Sequence, residues 1–204
     1  MYVQHLKLGD HILEVVDIYK YLGNQICYNL SDSHDIMFRL DKFYSSSNSV
    51  LRNFKSVDFH PLNQLFNSYC KPVHGISLWN DCNTTSSQSF RIFENAYNSS
   101  LKQILDVSKY TSNHVTAAML NQLLFGHYLA FMKLKYLQRI LKSNMLMVRI
   151  NTPYIQNGFF GTDVYALARR YQVDANEDLD ALKARIHYVQ NHEVRNRECM
   201  YFLI

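Results

Sequence analysis

The sequence predicts a mainly α-helical fold: an N-terminal β-hairpin, then a helical bundle, then further helices. Three observations predict it. Apolar residues recur at helical spacing from Ile36 onward. Only six Gly and three Pro interrupt 204 residues, of which 48% are hydrophobic, so the chain folds rather than staying disordered. β-Branched residues gather near the N-terminus at Ile12, Val16 and Ile18, where alternation is weak but present.

Residues 2–8 and 12–21 read as the two strands of that hairpin, joined at Gly9-Asp10. Two strands are marginal alone, so the next helices must cover one face. Ser31-Asp32-Ser33 supplies a helix N-cap, and Asp35 lies in the first turn, where negative charge suits the helix dipole. Ile36, Leu40, Phe43, Ser47, Val50/Leu51 and Phe54 form the apolar stripe, with a bend expected at the Ser/Asn cluster 45–49. Pro61 fits the first turn of a second helix with Leu62, Leu65, Phe66 and Tyr69 on its apolar face, and Pro72 interrupts or kinks it unless the chain already turns there. The polar run 80–88 reads as a loop and domain boundary.

Phe90, Phe93, Tyr97, Leu101 and Ile104 make the next stripe, and Val115, Ala118/Met119 and Gln122/Leu123 another. Gly126 precedes a helix with Leu129, Met132, Tyr136 and Ile140 on one face. Beyond a loop at Asn151-Thr152-Pro153 and Gly158–Gly161, Thr162 or Asp163 caps a short helix to about Tyr171. Asn176 caps one that runs to about Arg197. The divisions are thus 1–80, 81–150 and 151–204.

The net charge of +4 is uneven. Residues 1–80 balance, 81–150 hold eight basic and three acidic side chains, and 151–204 carry one excess acid. A basic middle block suits a phosphate backbone, and equally a solvated helical face. Fifteen Tyr and twelve Phe point to an aromatic core or to a stacking surface for bases. Cys27, Cys70, Cys82 and Cys199 show no disulfide spacing, and no apolar run reaches membrane-span length. An intracellular protein, in cytoplasm or nucleus and off the membrane, is expected. The C-x3-H-x7-C spacing of Cys70, His74 and Cys82 matches no zinc pattern, so neither metal nor cofactor is expected.

Three segments carry a collinear resemblance. Tyr19-Lys20-Tyr21-Leu22-Gly23 comes first, then Tyr69-Cys70-Lys71-Pro72-Val73-His74-Gly75-Ile76-Ser77-Leu78-Trp79, then Tyr97-Asn98-Ser99-Ser100-Leu101-Lys102-Gln103-Ile104-Leu105. In order and spacing they resemble the C-terminal part of a LINE-type, non-LTR retrotransposon reverse transcriptase, an RNA-directed DNA polymerase. The resemblance spans about residues 1–142. It implies that 19–23 is a primer-grip hairpin, that the helices after it are thumb-like, and that Tyr69, Gly75 and Trp79 are structural anchors. It further implies contact with a primer–template-like duplex of RNA or DNA through phosphates. Lys20 in the primer-grip segment and Arg39, Lys42, Arg52 and Lys55, off the apolar stripe of the first helix, are the candidate contacts, with Lys133, Lys135 and Arg139 on the later basic helix.

Polymerase chemistry in that family needs paired carboxylates holding two metal ions, and no Asp-Asp pair occurs in this chain. Met1 lies just before the hairpin, so the resemblance implies that fingers and palm are absent and that no residue is catalytic. An uncovered hairpin face would favour self-association or a protein partner. A helical interaction scaffold, or a decayed remnant without selected function, are the alternatives.

Overall fold

The computed structural model describes residues 7–8, 11–12, 16–29, 31–73, 75–79, 88–142, 166–172 and 178–201. Its architecture is mainly helical, with short antiparallel pairs at the N-terminus. The expected hairpin across Gly9-Asp10 is present where it is described, β1 (Lys7–Leu8) pairing antiparallel with β2 (His11–Ile12). Its second strand was expected to continue to Tyr21, and there the expectation is corrected, because β3 (Ile18–Tyr21) pairs forward with β4 (Asn24–Cys27) in a second hairpin. The reason lies in the turn. Leu22 and Gly23 take φ of 45° and 84°, and two successive positive φ values match the right-handed twist of adjoining strands. Gly9-Asp10 falls outside the described residues.

α1 (Ser33–Asn53) is one continuous helix that includes the Ser/Asn cluster 45–49. Its N-cap residue is Asp32, which makes no side-chain capping bond. Ile36, Leu40, Phe43, Ser47 and Val50 are buried, and Phe54 is exposed beyond the helix end. Ser47 is tolerated inside because its hydroxyl meets that of Ser100 at 2.9 Å, which satisfies two buried polar groups at once. α2 (Phe59–Tyr69) ends before Pro72, as a residue without an amide proton requires. Leu62 and Phe66 are its buried face. A single 3₁₀ turn, Ile76–Leu78, leads to Trp79.

α3 (Gln88–Ile104) buries Phe90, Phe93, Tyr97, Leu101 and Ile104, the whole predicted stripe. α4 (Asn113–Met119) does not follow its predicted face: Thr116 and Ala117 are buried, while Val115, Ala118 and Met119 are exposed. Seven residues are too few to define a stripe, and Gln122 and Leu123 are buried from the connecting segment instead. α5 (Phe125–Leu141) is enclosed on several sides by the 3₁₀ turn, α3 and α6 (Leu179–Tyr201). Its predicted face is displaced accordingly. Leu129 is buried, but Met132, Tyr136 and Ile140 are half-buried, while Ala130, Lys133, Leu134, Leu137 and Gln138 go deeper.

One apolar cluster runs from Ile36 through Trp79, Phe93 and Phe125 to Tyr171, Leu182 and Ile186. The core therefore crosses all three divisions drawn from sequence. Phe93 stacks on Phe125 at 4.9 Å, and Phe43 meets Phe66 edge-on at 5.9 Å, so many of the rings fill the interior. Residues 166–170 are helical, and Tyr171 docks on α5 through a 2.8 Å bond between its hydroxyl and His127 Nδ1. Among the described residues no helix is long and apolar enough to cross a membrane. Of the expected loop at 80–88 only Gln88 is described, and it already belongs to α3. The rest of it, the expected loop at 151–161, and the caps Thr162, Asp163 and Asn176 lie outside the described residues.

Candidate nucleic-acid interface

The first two of the three resembling segments meet at the start of α1, while the third packs further along the same helix, where Tyr97 meets Phe43 and Ser100 meets Ser47. Asp35 Oδ1 accepts the Gln25 amide at 3.0 Å and lies 3.4 Å from Arg39 Nε; Oδ2 accepts the Trp79 indole N–H at 2.8 Å. Arg39 Nη2 donates to the Gly23 carbonyl at 2.6 Å and to Asn24 Oδ1 at 2.9 Å. Gly75, at φ +79°, sits so close that an added Cβ would meet Asn24 Oδ1 at 2.3 Å. A carboxylate and a guanidinium thus fasten the hairpin turn, the helix and the segment before Trp79 together. Both charges are withdrawn from water, so each depends on the other's presence.

This corrects three sequence assignments. Arg39 is not off the stripe: it is 6% exposed and spent on the hairpin turn, so it is no phosphate contact. Tyr69 is 69% exposed and anchors nothing, because α2 ends there and the chain turns away. Trp79, 2% exposed, and Gly75 are where the structural constraint falls. Lys133 is fully buried on α5, facing a cavity of about 500 Å³ among α3, α5, α6 and residues 167–171. It is withdrawn from any surface duplex.

The remaining cations stay accessible. Lys20 on β3 is exposed, with Nζ 6.0 Å from the Phe38 ring centre; Lys42, one turn along α1 from Phe38, lies 4.5 Å from the same ring. Two ammonium groups therefore converge over one half-buried ring, an arrangement its quadrupole favours. Tyr19 and Tyr21 flank Lys20 on the strand and are exposed, as is Asp41 beside Lys42. Arg52 is exposed in the last turn of α1 and Lys55 just beyond it, where cations suit the helix dipole. Lys135 is half-buried over Phe131 at 5.9 Å, and Arg139 is exposed near the end of α5. The basic set thus divides into a hairpin–α1 surface and a smaller α5 remainder.

Sequence reading missed Asp35 and Asn24 as partners of Arg39, and Phe38 as the platform under Lys20 and Lys42. The i,i+4 spacing of Phe38 and Lys42 was an available signal; the reach from Arg39 to Asn24 was not. Among the described residues no group of three or more His, Cys, Asp or Glu is placed to hold a metal ion, and His74 and Cys82 lie outside them. No family model, no curated protein and no solved structure matches the chain.

Proposed function

We propose that the chain is a non-catalytic nucleic-acid-binding element, akin to the primer-grip and thumb region of a LINE-type reverse transcriptase. One observation carries the reading. Lys20 joins Lys42 over Phe38 where the hairpin meets α1, and Tyr19 and Tyr21, which alternate with Lys20 along β3, are exposed on the other face of the same strand. Rings offer faces to bases and ammonium groups offer charge to phosphates, which together give sequence-tolerant binding. The chain lacks an Asp-Asp pair, and a primed template supplied with nucleotides and Mg²⁺ is expected to show no extension.

Fluorescence anisotropy with primer–template duplex, single-stranded RNA and single-stranded DNA across a salt series tests the reading. Replacing Lys20, Lys42, Arg52 and Lys55 together by Gln should weaken duplex binding and reduce the salt slope by up to about 0.9 for each lost phosphate contact. Changing Lys135 and Arg139 should matter less. Equal binding by parent and four-Gln variant at every salt concentration overturns it.

A second reading, a protein-interaction scaffold or dimer, is favoured by a specific observation. Val16, Ile18, Tyr19, Tyr21, Leu22, Ile26 and Tyr28 are all exposed on or beside one small hairpin. Such a surface is wide for a monomer. Concentration-dependent sedimentation that Tyr19→Ser and Tyr21→Ser abolish would support this reading, and a monomer at all concentrations would remove the self-association form of it.

A further inference from the structure

A cleft of about 550 Å³ lies between α2, the α4–α5 connection and α6, and no hairpin residue is among those that line it. Lys71 reaches into it from the chain just after α2. Its Nζ donates to Gln122 Oε1 at 2.5 Å and lies 4.7 Å from the Tyr128 ring centre, while Tyr128 holds the Lys71 carbonyl through a 2.8 Å hydroxyl bond. Gln122 Nε2 donates to Asn63 Oδ1 at 2.9 Å, and Asn63 Nδ2 donates to the Leu120 carbonyl at 3.1 Å. A linked set of amides therefore fixes where the ammonium sits.

Lys183 of α6 lines the same cleft, and His187 stands one turn further along α6. Burial first, and then the charge of Lys183, push the Lys71 ammonium down to about 8. Burial holds the His187 imidazolium below its ordinary range, helped by Lys183 and Lys71. His60 adds a third basic side chain to the lining, and no carboxylate is among the described residues that line the cleft. Every described ionisable group lining it is thus a base.

We propose that this cleft binds a phosphate group, held between the ammonium groups of Lys71 and Lys183. Two like charges facing one space repel each other, and a dianion between them reverses the sign of that interaction. Phosphate suits the pair better than a carboxylate because its charge and acceptor oxygens serve two donors at once. The cleft volume leaves room for an organic group attached to the phosphate. The proposal is independent of the duplex-binding surface, which lies on β3 and α1.

Calorimetric titrations of the full chain with inorganic phosphate, adenosine 5′-monophosphate and adenosine test it. Further titrations with a short single-stranded oligonucleotide carrying either a 5′-phosphate or a 5′-hydroxyl distinguish a free phosphate, a mononucleotide and a nucleic-acid end as sources. The monophosphate should bind at least about tenfold tighter than adenosine, and Lys71→Met or Lys183→Met should each remove about that factor. A second measurement needs no variant. Acetylation of Lys71 by an amine-reactive ester, read by mass spectrometry at slightly alkaline pH, should slow several-fold when phosphate is present. Equal affinity for adenosine and its monophosphate, or unchanged Lys71 labelling at saturating phosphate, overturns the proposal.

Discussion

Arg39 and Lys71 are both cations drawn back from water, and the two regions that hold them treat them in opposite ways. At the hairpin junction Arg39 faces a carboxylate, a carbonyl and an amide oxygen, and its charge is neutralised on the spot. In the cleft behind α2, Lys71 faces a neutral amide, a ring and a second lysine. The first arrangement holds segments in place and leaves nothing for a ligand. The second leaves positive potential unspent, which is what a binding site for an anion requires. Counting lysines and arginines along the chain cannot make this distinction, because both contribute the same unit to the net charge.

Breaking the first region should have the largest effect. Asp35→Ala strands the Arg39 charge and leaves the Trp79 indole and Gln25 amide without their acceptor. We expect a loss of about 3–5 kcal/mol by chemical denaturation, the range for removing one partner of a buried pair. A loss under about 1 kcal/mol would mean that water reaches the junction. Gly75→Ala attacks the same place through the backbone. Its φ of +79° disfavours any side chain, and the new methyl would drive Asn24 away from Arg39. About 2–3 kcal/mol is expected, less if Asn24 can swing aside.

The second region gives a smaller effect of opposite sign. Lys71 has its folded-state value lowered from 10.5 to about 8, so the native state binds that proton less readily than the unfolded chain. The resulting penalty is fully present below about pH 8 and is relieved as pH rises toward 10.5. Lys71→Met should therefore stabilise the protein at neutral pH, by about 1–2 kcal/mol after loss of the bond to Gln122 is set against it. Melting curves across pH 7 to 10.5 should show the advantage shrinking as pH climbs. A constant difference would assign the effect to packing.

Local patterning made much of the fold legible. Ile36, Leu40 and Phe43 on α1, and Phe90, Phe93 and Tyr97 on α3, repeat at a spacing that only a helix buries on one side. Pro72 marked where α2 had to have stopped, and Trp79 was legible as an interior anchor. For the candidate interface, the exposed positions of Lys42, Arg52 and Lys55 followed from lying off the α1 stripe, and the same reasoning failed for Arg39, which is buried.

What the sequence by itself determined, then, is where helices form and which face of each is apolar when a single neighbour covers it. Tertiary structure decided the rest. α5 has neighbours on several sides, so no polar stripe survives on it, and Lys133 goes inward where its charged residue type predicted the surface. Arg39 turned inward because Asn24 and the Gly23 carbonyl, 15 and 16 residues away, offered acceptors. Lys71 and Lys183 came to share a cleft although more than a hundred positions separate them. Periodicity is a property of neighbours along the chain, whereas the cost of a buried charge depends on whatever the finished fold sets beside it.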